Sequence, residues 1–89
     1  MASKRYVVEG RVQGVWYRAT VQKHAREAGF SGYVRNLPDG RVEAAVSCDD
    51  DACFEAFEAL LRKGSPLSRV ESLRSEPIDE TFEGDFLVL

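Results

Sequence analysis

Two stretches of this chain carry apolar residues at helical spacing, and each is closed by a glycine. Tyr17, Val21, Ala25 and Ala28 recur at intervals of four, four and three before Gly29. Phe54, Phe57 and Leu61 recur at three and four before Gly64 and the helix-breaking Ser65-Pro66. Both patterns predict amphipathic helices, the first over about Trp16 to Ala28, each ended by a C-cap glycine. A helix with one apolar stripe needs a surface to bury it against, and the rest of the chain supplies runs of a different period. From Lys4 to Val12, the residues Tyr6, Val8 and Val12 alternate with Glu9 and Arg11, with Val7 out of step. A second strand is expected from Ser31 to Leu37, before the turn Leu37-Pro38-Asp39-Gly40, where proline pre-sets φ and glycine permits a positive one. Arg41 to Cys48 alternates most cleanly: Val42, Ala44 and Val46 share one face, and Arg41, Glu43 and Ser47 share the other with Ala45. Arg69 to Pro77 reads as a fourth strand, and Phe82 to Leu89, with Phe86 and Val88 on one face, as a short edge strand.

The order is β-α-β-β-α-β with a tail strand. This is the split βαβ, or ferredoxin-like, α+β pattern: an antiparallel sheet with two helices on one face and a short C-terminal strand. At 89 residues there is length for one small domain, here residues 1–89. Asp49-Asp50-Asp51 offers an N-cap and favourable charge to the second helix, which outweighs a cation-site reading. Glu58 and Arg62 are spaced to pair across one turn of that helix, and Arg41 and Glu43 to pair weakly on the sheet surface.

Charge narrows the range of partners. Lys and Arg number 12 against 15 Asp and Glu, giving a net charge of −3 and a pI near 5.1. A general nucleic-acid binder needs a cationic surface to neutralise phosphates, so no nucleic-acid partner is expected. No apolar run approaches the ~20 residues that cross a bilayer, so no membrane role is expected. The opening Met1-Ala2-Ser3-Lys4-Arg5 passes straight into a strand-like Tyr6-Val7-Val8 and a charged Glu9, unlike a secretory signal. The expectation is a cytoplasmic monomer. Cys48, Cys53 and the single His24 are too few to hold a structural zinc, so no metal is expected, and the cysteines read as thiols of a reducing compartment.

The topology makes the first two strands parallel, with the third between them, so both end at the same edge of the sheet. At that edge the turn Gln13-Gly14-Val15-Trp16-Tyr17-Arg18 enters a helix N-terminus. Such a turn can direct several backbone N–H groups at one spot, where the helix dipole adds positive potential. Gly14 permits close approach. Arg18 can add a bidentate guanidinium to a phosphate or carboxylate. Asn36, closing the second strand, supplies a carboxamide that donates and accepts without bringing charge to an anion. His24 falls on the flank of the first helix, away from this edge. Trp16 can lie beside a ligand or cover the core, and the second reading is preferred because aromatics mostly serve as buried area.

The run Gly10-Arg11-Val12-Gln13-Gly14-Val15-Trp16-Tyr17-Arg18 resembles the signature loop of the acylphosphatase family. Gly32-Tyr33-Val34-Arg35-Asn36 and Asp39-Gly40-Arg41-Val42-Glu43 resemble its second signature block, and Phe54, Phe57 and Leu61 followed by Lys63-Gly64-Ser65-Pro66-Leu67 and Val70 also fit. The resemblance runs from Tyr6 to about Phe86. It implies a hydrolase that cleaves the carboxyl–phosphate bond of small acyl phosphates to a carboxylate and inorganic phosphate, with no metal or cofactor. It implies that Arg18 binds the phosphoryl oxygens with the loop amides of Gln13, Gly14, Val15, Trp16, Tyr17 and Arg18, and that Asn36 positions the attacking water. Two other functions suit the topology. An RNA-recognition module would need aromatics on the middle strands, and Arg41-Val42-Glu43-Ala44-Ala45-Val46 has none. A non-catalytic regulatory module that binds phosphate or acyl phosphate is the alternative.

Overall fold

The computed structural model describes all residues from Met1 to Leu89. Its elements are β1 (Ala2–Arg11), α1 (Tyr17–Ala28), β2 (Ser31–Asn36), β3 (Val42–Cys48), α2 (Asp51–Lys63), β4 (Arg69–Ile78) and β5 (Phe86–Val88). The five strands form one sheet in the order β4-β1-β3-β2-β5. β3 is antiparallel to both β1 and β2, which makes β1 and β2 parallel with β3 between them. The expected βαββαβ order is therefore the observed one. The tail strand is shorter than expected and lies parallel beside β2, with Gly32 opposite Phe86 and Val34 opposite Val88.

One face of the sheet carries the core. Tyr6 and Val8 of β1, Val34 of β2 and Val42, Ala44 and Val46 of β3 pack with Val21 and Ala25 of α1 and with Phe54, Phe57 and Leu61 of α2. Phe57 sits at its centre, 5.5 Å from the ring of Tyr6, 5.2 Å from Phe30 and 5.8 Å from Phe86. The Tyr6 hydroxyl donates to Glu58 (2.8 Å), so the phenol keeps a partner as its ring is buried. Glu58 is thus taken by β1, and the expected Glu58–Arg62 pair does not form.

The opposite face departs from the expectation of a solvated surface. Glu43 is buried, its carboxylate held by Arg5 of β1 and by Arg35 (2.8 Å) and the Tyr33 hydroxyl (2.7 Å) of β2. It does not pair with Arg41, which turns to Asp39 and Glu9 instead. The cause is topological. β3 is the central strand, and cross-strand neighbours from both sides reach the residues in its middle. Burial alone would raise the Glu43 pKa, but the hydrogen bonds from Tyr33, Arg5 and Arg35 hold it below the ordinary glutamate range. Burial and the Glu43 carboxylate push the Tyr33 phenol up to about 12. Ser47 is covered as well, because the chain from β4 at one edge to β5 at the other crosses this face. There the Phe82 amide donates to Ser47 Oγ (2.8 Å) and the Phe82 ring packs edge-on to Tyr33.

The two cysteines are also corrected: Cys48 and Cys53 form a disulfide. Cys48 ends β3 and Cys53 lies in the first turn of α2. The tight β3–α2 connection brings their Cα atoms to 5.7 Å, within reach of a bridge. The bridge is at the far end of β3 from Val42, which pairs with Asn36.

Candidate active site

The loop between β1 and α1 is fixed by its side chains, which leaves its backbone free. Val12 and Val15 are buried in the core. The Val15 carbonyl accepts from Ser65 Oγ (2.6 Å), and the buried Tyr17 hydroxyl donates to the Leu61 carbonyl (2.7 Å). Burial raises the Tyr17 pKa far above that of a free phenol, so it stays neutral. Gln13 donates from Nε2 to the carbonyls of Leu37 and Arg41 (2.9 Å each), which ties the loop to the β2–β3 turn. Between these anchors Gly14 takes φ 73° with open space where a side chain would stand.

None of the main-chain amides from Gln13 to Ala19 donates to a main-chain or side-chain acceptor of the protein; the first intrahelical bond runs from Thr20 to Trp16. Helix starts always leave a few such donors, and side-chain caps commonly take one. Here no side-chain cap is present, and the first turn of α1 contains no acidic residue. The positive end of the helix dipole is unneutralised.

An open cleft of about 550 Å3 lies against this helix start, with walls from Gly14, Trp16, Arg18, Asn36 and Val88 among others. That volume is ordinary for a small-ligand site. Arg18 and Asn36, far apart in the chain, share the cleft because β1 and β2 are parallel and end at one edge. Arg18 is half-buried and reaches the main-chain oxygen of Leu89 (3.4 Å). Asn36 is exposed at the end of β2. No carboxylate side chain lines the cleft, so Arg18 and the amides give it a positive local field in a chain of net negative charge.

The six loop residues named from sequence divide in two. Gly14, Trp16, Tyr17 and Arg18 line the cleft, whereas the side chains of Gln13 and Val15 anchor the loop from behind. Trp16 does not cover the core: it is 78% exposed at the cleft, in a left-handed conformation at φ 65°, and α1 begins one residue later. His24 lies beside Glu27 and outside the cleft. Gln22 and Val88 line the cleft without having been singled out. The alternation of Phe86 and Val88 was readable, but the neighbour of the tail strand was not, and pairing with β2 sets Val88 opposite Val34, two residues before Asn36. No group of three His, Cys, Asp or Glu side chains is arranged to hold a metal ion.

The acylphosphatase family model matches residues 4–88. An acylphosphatase of Methylococcus capsulatus is 52% identical over 67 residues, which is 75% of this chain and 72% of the relative. The solved structure of an acylphosphatase from Bacillus subtilis superposes with a TM-score of 0.86 at 33% identity, over 100% of this chain and 99% of that one. The chain is also similar to part of a much larger protein: T. kodakarensis HypF matches with a TM-score of 0.82 at 33% identity, over 100% of this chain and 12% of that chain.

Proposed function

This chain belongs to the acylphosphatase family and is an acyl-phosphate hydrolase, and we propose that its loop from Gln13 to Arg18 binds the phosphoryl group while Asn36 positions the attacking water. The observation that carries this reading is the single cleft that Arg18 and Asn36 share with a run of unpaired amides. Phosphoryl transfer depends mainly on positioning and on stabilising charge spread over the phosphoryl oxygens. The loop amides and the Arg18 fork meet that charge, and they are already oriented before the substrate arrives. The Asn36 carboxamide holds water in line with the bond to be broken. Water oxygen bonds to phosphorus as the bond between phosphorus and the carboxyl oxygen breaks. The acyl group leaves as a carboxylate, which needs no strong protein acid. The proton of the water goes to a phosphoryl oxygen or to solvent.

Residues 1–89 act as one domain and a cytoplasmic monomer in this reading. The exposed edge strand β4 carries Arg69, Glu71, Arg74, Glu76 and Pro77, charges and a proline that discourage edge-to-edge pairing. No helix is long and apolar enough to cross a membrane. In a reducing compartment the Cys48–Cys53 bridge would open at the end of β3 remote from Asn36.

The test is hydrolysis of benzoyl phosphate in the presence of EDTA, with Arg18→Ala and Asn36→Ala beside the parent and circular dichroism to verify folding. Turnover that collapses in both folded variants supports the assignment. A folded parent without turnover moves the reading to a phosphate-binding regulatory module.

A further inference from the structure

The loop that carries the unpaired amides is seated on the C-terminal end of α2. Ser65, the residue after Gly64, is 4% exposed and donates from Oγ to the Val15 carbonyl (2.6 Å). Tyr17 donates its buried hydroxyl to the carbonyl of Leu61 in the last turn of α2 (2.7 Å). Its ring lies so close to Gly64 that a Cβ there would stand 2.7 Å from it. These contacts hold the loop on both sides of Trp16, the one non-glycine residue with a positive φ. A left-handed conformation is unfavourable for a residue with a Cβ, and it persists only where the surroundings fix it.

The Ser65 bond also sets a direction. The peptide between Val15 and Trp16 is trans, so its C=O and N–H point opposite ways in one plane. Ser65 holds the carbonyl toward the protein interior, which turns the Trp16 N–H toward the cleft that Trp16 lines. That N–H has no acceptor in the protein. Ser65 is itself locked in a turn. Its N–H donates to Ser68 Oγ (2.9 Å), and its carbonyl accepts from the Ser68 amide (3.1 Å) and from Ser68 Oγ (2.8 Å). Pro66 stands at the second position of this turn, where its ring pre-sets φ. The hydroxyl that orients the peptide therefore comes from a fixed turn whose residues do not line the cleft.

We propose that Ser65 is a positioning residue for phosphoryl transfer, acting through the Val15–Trp16 peptide to aim the Trp16 amide at a phosphoryl oxygen. The proposal rests on the phosphoryl group being held by the loop and Arg18. An amide already aimed at the oxygen needs no reorientation as charge shifts in the transition state. Without the Ser65 hydroxyl, the Val15 carbonyl loses its partner inside the protein. Rotation of the peptide to bring that carbonyl to water would carry the N–H away from the cleft.

The experiment compares the parent with Ser65→Ala, Ser68→Ala and Arg18→Ala. Tyr6→Phe serves as the control, because it removes a hydrogen bond of similar length to Glu58 (2.8 Å) away from the cleft. Two quantities are read: kcat and KM for benzoyl phosphate, and the shift of each loop amide of the 15N-labelled protein at saturating inorganic phosphate. Ser65→Ala should lower kcat about tenfold and raise KM less than about threefold. Its Trp16 amide should lose most of its response to phosphate while the Arg18 side chain keeps its own. Ser68→Ala keeps the Ser65 hydroxyl but frees its turn, and should show the same selective change with a loss of about threefold in kcat. Tyr6→Phe should lower the melting temperature and change neither quantity. A folded Ser65→Ala with parental kcat and a full Trp16 shift overturns the proposal and leaves the phosphoryl site standing. If Ser65→Ala does not fold, parental behaviour of Ser68→Ala overturns it. Equal losses in Tyr6→Phe and Ser65→Ala overturn it too, because they mark general destabilisation. Turnover and phosphate affinity retained in Arg18→Ala overturn the phosphoryl reading and the proposal with it.

Discussion

The two helices of this protein begin in opposite ways. α2 starts at an extended Asp50 (φ −149°, ψ 172°) whose carboxylate accepts from the Cys53 amide at 2.8 Å. Asp51 adds negative charge to its first turn, and the disulfide ties that turn to β3. α1 starts at a left-handed Trp16, a conformation in which no side chain caps the helix, and its first turn carries Arg18 where the dipole favours an acid. One start is closed by the protein's own carboxylates. The other keeps its donors and adds a cation. Their difference teaches that α1 leaves its first donors open, where the proposed anion site lies, whereas α2 spends a donor on its own cap.

Substitutions at each start break this comparison in different ways. The largest effect is expected at α1: Arg18→Ala should lower kcat/KM for benzoyl phosphate by about 10²–10³ with the melting temperature nearly unchanged. Arg18→Lys should recover only part of it, because a point charge cannot replace the planar fork. Asn36→Ala should follow with a loss of about 10² in kcat, read under saturating substrate. At α2 the effects fall on stability alone. Reduction of the disulfide, which closes a loop spanning 5 residues, should cost about 2 kcal/mol in urea unfolding and leave kcat unchanged. Asp50→Ala should cost about 1 kcal/mol, again with unchanged kcat.

A smaller effect of pH sharpens the contrast between charges that stabilise and charges that bind. The folded-state pKa of Glu43 is lowered, so its contribution is fully present above the ordinary glutamate pKa of about 4.3 and is lost as pH falls through the lower folded value. The stability difference between the parent and Glu43→Gln should therefore be constant from pH 7 down to about pH 5 and shrink at lower pH. Urea midpoints measured across that range check it.

The sequence made much of the fold readable, because its two periods differ so clearly. The 3.6-residue stripes of α1 and α2 and the alternation of β3 sort residues to the correct face of the sheet, except that Ala28, at the end of the α1 stripe, is exposed, and the glycines mark where both helices stop. Arg18 and Asn36 were legible as candidates because the βαβ crossover fixes which strand ends meet. Features decided by distant neighbours were not legible. Glu43 alternates as a surface residue should, and Arg5, Tyr33 and Arg35 on the flanking strands cover it. Glu58 has Arg62 one turn away, yet the Tyr6 hydroxyl across the core takes it. Trp16 has the composition of a core residue, and its exposure follows from a backbone conformation that no periodicity reports. Val88 joins the cleft through a strand pairing that local pattern cannot specify.

The central claim is that the open start of α1 binds the phosphoryl group and the capped start of α2 does not. Titration of the 15N-labelled protein with inorganic phosphate, followed amide by amide, tests it most directly. The account predicts saturable shifts of the amides from Gln13 to Ala19 and of the Arg18 side chain, with Asp51 to Phe54 unmoved. Shifts shared equally by the two helix starts, or saturable shifts confined to another part of the sheet, would contradict it.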